Sequence, residues 1–312
     1  MNSLLSTTKI PGIYLPGELQ APATLLMGPP GCGKTTVLVT LALAGIEVFV
    51  VITEPNGVDS LLDAWAKHNA PIEKLHWATI SPTAAGWKAM GEMGRMINSM
   101  SYKDLSEMKQ GIGKSEMKQF PQLLSLFENF KCERTGKEYG DVTTWDATRA
   151  LVVDSLSGLN LIVMQHTVGF KPSPHQGEWG IAMNSLEMLL LKLTADVKCF
   201  FVLTAHVDKE PNELTGGTTI YASALGRKLA PKIPRFFSEV ILAKRAADKF
   251  LWSTASNEAD LKNRALPVSS ELIPSFKPIV DAYNRRVAMS TKADAPAATS
   301  DSPSSSTAAQ KV

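Results

Sequence analysis

GPPGCGKTT, residues 28–36, follows the apolar run TLLM at 24–27 and precedes VLVTLALA at 37–44. That order reads as strand, loop and helix. The spacing Gly28, four residues, Gly33, Lys34, Thr35 fits GxxxxGK[ST], and each position has a mechanical reason. Glycines let the backbone curl so that successive N–H groups face phosphate oxygens, while the helix behind adds its positive end. Lys34 reaches the β- and γ-phosphates of a nucleoside triphosphate, and the Thr35 hydroxyl completes a Mg²⁺ shell. The expected nucleotide contacts are Gly28, Pro29, Pro30, Gly31, Cys32, Gly33, Lys34, Thr35 and Thr36, with ATP and Mg²⁺ as ligands. A Gly-rich turn matching by chance is the bland alternative, and the strand and helix around it argue against that.

At 312 residues and 44% apolar, the chain can bury one large core. Its longest apolar runs, such as residues 48–52 and 199–203, are too short to span a bilayer, so no membrane association is expected. The first twenty residues lack a basic start followed by an apolar block, and no secretory signal is expected. Cys32, Cys132 and Cys199 are widely spaced without CxxC or Cys/His pairing, which points to reduced thiols, a cytoplasmic location and no structural zinc. Net charge is only +2, yet residues 221–250 carry seven basic side chains against Glu239 and Asp248. That segment, with Arg227, Lys228 and Lys232, is the one place where charge suggests a polyanion; a solvated face is the competing reading.

Along the chain, residues 1–22 read as an irregular lead-in and EVFVVIT at 47–53 as a strand buried on both faces. A helix over 58–68 and a short strand over 74–80 follow. Residues 81–146 depart from α/β alternation and read as a helical insertion in which Met90, Met93, Ile97 and Met100 form one packed stripe. A hairpin is expected around Thr135 and Gly136. ALVVDS at 150–155 is a strand ending in an acid, residues 178–195 a long helix, and 198–205 another buried strand ending at His206. Residues 207–219 read as a polar loop, 239–243 and 250–256 as strands, and 289–312 as a disordered tail poor in large apolar side chains. The fold class is α/β, a mainly parallel sheet flanked by helices, with one domain over 23–288.

Nucleotide hydrolysis needs one acid for hydrated Mg²⁺ and one to orient or deprotonate water. Asp154, at a strand end, suits the first role, and because Ser155 follows it the second acid must come from elsewhere. Glu54, ending the strand after the loop helix, is the candidate. LVVDSLSGL at 151–159 and VVITEPNGVDSL at 50–61 resemble the second nucleotide motif and the catalytic-glutamate strand of the RecA family. With FFVLTAHVDKE at 200–210, YASALGRKLAPKIPRFFSEV from Tyr221 and DLKNRALP from Asp260, the chain is similar to bacteriophage RecA-like P-loop ATPases. These are the AAA_24-type group that includes Sak-type single-strand annealing and recombination proteins.

The resemblance covers roughly residues 22–280 and implies a RecA-like P-loop NTPase core. It makes His206 the polar sensor where RecA has glutamine, and implies a homo-oligomeric ring or filament acting on single-stranded DNA, with phage replication or recombination proteins as partners. It also implies that Lys262 and Arg264 act in trans on a neighbour's nucleotide, an ordinary cationic turn being the alternative. The loops 165–179 and 207–219 would contact DNA, although Asp208, Glu210 and Glu213 oppose one Lys209 in the second. A nucleotide-switched interaction module, such as a helicase loader or KaiC-like regulatory ATPase, is the competing function. A small-molecule kinase is weaker, because no basic lid segment stands out.

Overall fold

Ala23–Met27 (β1) is buried at every position, as a strand with helices on both faces must be. The computed structural model that contains it describes residues 19–212, 216–226 and 228–293. Helices Lys34–Val37 (α1) and Val39–Leu43 (α2) follow β1. Next come Glu47–Ile52 (β2), Gly57–Lys67 (α3) and Leu75–Thr79 (β3). Trp87–Ser99 (α4), Tyr102–Glu107 (α5) and Gln119–Glu128 (α6) precede Arg149–Asp154 (β4). Leu156–Val168 (α7) and Gln176–Asp196 (α8) lead to Phe200–Ala205 (β5). Val207–Asn212 (β6) and Gly217–Ala222 (β7) form an antiparallel pair of their own. Glu239–Ala246 (β8), Lys249–Ser253 (β9) and Lys277–Ala293 (α9) complete the described elements.

The seven-stranded sheet has the order β3-β2-β4-β5-β1-β8-β9. All neighbours are parallel except β9, which returns antiparallel along β8. Side chains alternate across the sheet with the strand period of two. Leu25, Met27, Phe49, Val51, Leu151, Val153 and Leu203 face the core closed by α6, α7 and α8. Leu26, Val48, Val50, Ile52, Val152 and Val202 face the one closed by α1, α2, α3 and α9. The connections leaving β1 and β4 therefore go to opposite faces of the sheet. Between them the carboxyl ends of β1, β5 and β4 border a crevice, where open α/β sheets bind ligands.

Three expectations fail for identifiable reasons. Residues 207–219 contain most of a ladder, from Val207↔Ala222 to Asn212↔Gly217, instead of a loop. The charged residues of β6 hide a two-stranded ribbon whose only buried apolar side chains, among the described residues, are Ile220 and Ala222 at the end of β7. The stripe Met90, Met93, Ile97 and Met100 is not packed, since no residue of α4 is buried and Ile97 is 55% exposed. Periodicity shows that a helix has an apolar face, not that anything covers it. The start of the expected tail is helical, because α9 continues to Ala293 and is anchored by buried Ile279, Val280 and Tyr283. Residues 1–18 and 294–312 lie outside the described residues. The turn at Thr135 and Gly136 is present, closed by Cys132 N–H to Lys137 O at 2.9 Å.

Beside that turn, His76 is buried with its ring stacked on Phe49 and Nε2 3.0 Å from Glu47 Oε1. Burial holds its pKa below the ordinary histidine value, and the Glu47 carboxylate only partly opposes this. An unfolded histidine titrates near about 6.5, so protonation favours the unfolded chain. The contribution of neutral His76 is complete above that pH and is lost as pH falls through the lower folded pKa. Urea midpoints taken from about pH 7.5 down to about pH 5 should fall more steeply for wild type than for His76→Gln. Equal slopes would remove His76 as the source.

Candidate functional site

Gly28 leaves β1 with its N–H bonded to Ala205 O at 3.0 Å. Gly31 and Gly33 then take φ of +71° and +83°, the left-handed region that glycine enters without steric cost. Close approach matters as well. A Cβ on Gly28 would meet the Ala243 carbonyl at 2.5 Å, and one on Gly33 the Phe250 ring at 2.8 Å. The loop closes onto α1 through Val37 N–H to Gly33 O at 3.0 Å.

Lys34 is buried, with Nζ donating to Gly28 O at 2.8 Å and Pro29 O at 2.9 Å. Cys32 Sγ lies 3.9 Å from the same Nζ, and burial pushes its thiol pKa up. His206 Nδ1 is 3.5 Å from Lys34 Nζ, and Nε2 is 3.2 Å from Glu54 Oε1. An ammonium only donates, so Nδ1 accepts and the ring proton belongs on Nε2, facing Glu54.

Asp154 ends β4, and both its carboxyl oxygens are engaged. Thr35 Oγ1 donates to Oδ2 at 2.7 Å, and the Thr204 hydroxyl donates to Oδ1. Burial pushes the Asp154 carboxyl above its usual range; the Thr204 and Thr35 hydroxyls pull it back, and the nearby Glu54 charge adds to the rise. The peptide between Asp154 and Ser155 is cis. Just beyond β2, Thr53 Oγ1 donates to Ser155 O and accepts from Ser155 N–H, both at 2.7 Å. Ser155 Oγ in turn donates to Glu54 Oε1.

These groups surround a cavity of about 300 Å³ bounded by Pro30, Gly31, residues 33–36, Glu54, Ser60, Asp154 and His206. Of the expected loop residues, Pro30, Gly31, Gly33, Lys34, Thr35 and Thr36 line this cavity with Glu54, Asp154 and His206, whereas Gly28, Pro29 and Cys32 do not. No known family model and no curated protein matches this chain. Among the described residues, no helix is long and apolar enough to cross a membrane. Nor does any group of three or more His, Cys, Asp or Glu form a metal cluster there. Mg²⁺ at phosphate sites does not ask for one, since it takes one or two side chains together with phosphate and water.

Lys262 and Arg264 lie elsewhere, at the amino edge of the sheet. Lys262 Nζ donates to Phe237 O at 2.8 Å, and Arg264 N–H donates to Glu239 Oε1 at 3.1 Å, where β8 begins. With Arg235 and Arg286 they line a separate cavity of about 530 Å³. Burial raises the pKa of Glu239 there, and backbone N–H groups of Arg264 and Ala265 oppose the rise. Of the basic set, Lys228 is exposed, Lys232 Nζ sits 3.3 Å from Glu187 Oε2, and Arg227 lies outside the described residues.

Sequence reading missed Ser155 and Thr204, whose hydroxyls bond Glu54 and Asp154, Thr53, which clamps the Ser155 main chain, and Phe250, which covers Gly33. A hydroxyl at or next to each of three strand ends, those of β2, β4 and β5, was the available signal. Thr53 is itself backed by Gly158 of α7, where a Cβ would overlap the Thr53 side chain and carbonyl. Gly158→Ala should therefore destabilise the fold by about 1–3 kcal/mol through overpacking, read as a lowered urea midpoint. A midpoint equal to wild type would mean that Thr53 can yield.

Proposed function

We propose that the chain is a RecA-like P-loop ATPase that acts on single-stranded DNA. The observation that carries the ATPase reading is the convergence of Lys34, Thr35, Asp154 and Glu54 on one cavity at the ends of three parallel strands. Lys34, satisfied by two main-chain carbonyls, has an ammonium to offer phosphate oxygens. The backbone N–H groups of the loop add donors without adding side-chain bulk. Thr35 and Asp154 supply the hard oxygen donors that suit Mg²⁺ and are the residues that would hold it. When bound, that ion neutralises charge on the phosphates.

Glu54 is the general base for water. Ser155 Oγ and His206 Nε2 both engage Oε1, and Oε2 has no partner among the described residues. One oxygen is thereby held in place and the other can accept the proton of the attacking water. His206, linking Lys34 to Glu54, positions both groups.

The nucleic-acid part of the reading draws on the sequence resemblance and on the basic segment around Lys228. It implies a role in phage recombination, annealing or repair by a homo-oligomer. Lys262 and Arg264 enter the reading only from a neighbouring copy, because their own cavity is at the other edge of the sheet. Such a contact is head-to-tail, the kind that builds rings or filaments.

Lys34→Ala should lose most ATP affinity. Glu54→Gln should bind ATP and release phosphate about 10²–10⁴-fold more slowly, since the amide keeps the shape but cannot take a proton. Turnover of Glu54→Gln equal to wild type would end the assignment. For DNA, the combined change Arg227→Ala, Lys228→Ala and Lys232→Ala should flatten the salt dependence of oligonucleotide binding by up to about one log unit per lost phosphate contact. An unchanged slope would favour a nucleotide-switched interaction module.

A further inference from the structure

A second cavity, of about 350 Å³, shares a wall with the first: Gly33 and Thr36 line both. The two differ in chemistry. The first presents Lys34, Glu54, Asp154 and His206, whereas the second is lined mainly by apolar side chains, Val37, Phe250, Leu251, Ile273 and Pro274 among them, together with His68 and Lys249. A ligand spanning both has a polyanionic end and an apolar end, joined beside Thr36. The Thr36 hydroxyl has no hydrogen-bond partner among the described residues, while that of Thr40, deeper in the second cavity, is already used by Val37 O at 2.7 Å and Phe276 N–H at 2.9 Å.

Phe250 gives the second cavity its most specific surface. It belongs to β9, the edge strand of the sheet, and its ring lies against Gly33 at a distance that leaves no room for a Cβ. The ring is 36% exposed, and Ile273, on the cavity lining, is 88% exposed. Trp252 exchanges both main-chain hydrogen bonds with Leu272 at 2.8 Å, on the side away from β8. Antiparallel alternation turns the amide and carbonyl of Phe250 to that same outer side, beside the cavity. The Arg245 guanidinium is 5.9 Å from the Phe250 ring centroid, and Lys249 lines the cavity.

We propose that the second cavity receives the base of the nucleoside triphosphate whose phosphates occupy the first, with the Phe250 ring as its stacking surface. The assignment rests on the phosphate-binding reading of residues 28–36. A planar heterocycle satisfies both kinds of surface: its faces stack on the phenyl ring, and its polar edge meets strand backbone. An aliphatic ligand would use only the apolar walls, and a bare polyphosphate only the first cavity.

The test compares ATP with inorganic tripolyphosphate, which has the phosphates and no base. Dissociation constants for both are measured by calorimetry on wild type, Phe250→Ala and Phe250→Leu. The proposal expects Phe250→Ala to weaken ATP roughly tenfold or more and to leave tripolyphosphate unchanged. Phe250→Leu, which keeps apolar bulk over Gly33 and loses the π face, should fall between wild type and Phe250→Ala for ATP. Unchanged ATP affinity in both variants overturns the proposal. A parallel loss of ATP and tripolyphosphate also overturns it, because Phe250 would then be supporting the loop through Gly33 and not a base. Wild type that binds neither compound overturns the phosphate reading itself, and is distinguished by that from a failure confined to Phe250.

Discussion

The hydrogen bond from Thr35 to Asp154, 2.7 Å long, ties the loop after β1 to the end of β4. β5 lies between those strands, so the bond joins groups whose strands are two spacings apart, roughly 10 Å. A buried carboxylate left without donors would be costly. Thr35 and Thr204 each give Asp154 a hydroxyl, and the arrangement holds only while β1, β5 and β4 keep their register. Any slip by one residue would exchange the faces of a whole strand, so the two apolar cores enforce the geometry of the polar site.

The parts of this design governed by local rules were legible in the sequence. The glycine spacing, the apolar runs of β1, β2, β4 and β5, and the acids ending or following them each announce themselves within a few residues. Contacts made across strands did not announce themselves. Thr53 meets Ser155 at a separation of about a hundred residues, and nothing in either neighbourhood marks the pairing. The β6–β7 ribbon is hard to read because its apolar alternation is confined to Ile220 and Ala222, and the exposed face of α4 because amphipathicity is silent about what covers it. α9 was missed for a related reason. Its anchor is a stripe of three residues in an otherwise polar stretch, and Tyr283 reaches across the chain to Leu19 O at 3.0 Å.

The two edges of the sheet have different electrostatic characters. The carboxyl edge gathers Glu54 and Asp154 around a single buried lysine, whereas the amino edge gathers Arg235, Lys262, Arg264 and Arg286 around the buried Glu239. Parallel strands make this separation unavoidable, since every strand start is on one edge and every strand end on the other. A cation introduced after β9 near the start of β8 cannot reach the carboxyl edge of its own chain. Within one chain, therefore, the cations and the proposed phosphate cavity are independent sites, and only assembly can bring them together.

The pair Asp154 and Glu54 poses the remaining physical problem, because two carboxylates this near each other resist ionising together, and Glu54 does raise the pKa of Asp154. Ser155 occupies the position directly after Asp154, where a second acid would place both charges on one strand end. Its hydroxyl instead reaches Glu54, just beyond the end of the neighbouring β2, and its main chain is clamped by Thr53. The second charge is thereby moved one strand away from the first and given its own donor, Ser155 Oγ, with His206 Nε2 3.2 Å away. Asp154 keeps Thr35 and Thr204. Separate donor sets let the two acids take the different roles proposed for them, a cation ligand enclosed by hydroxyls and a base with one oxygen open to the cavity.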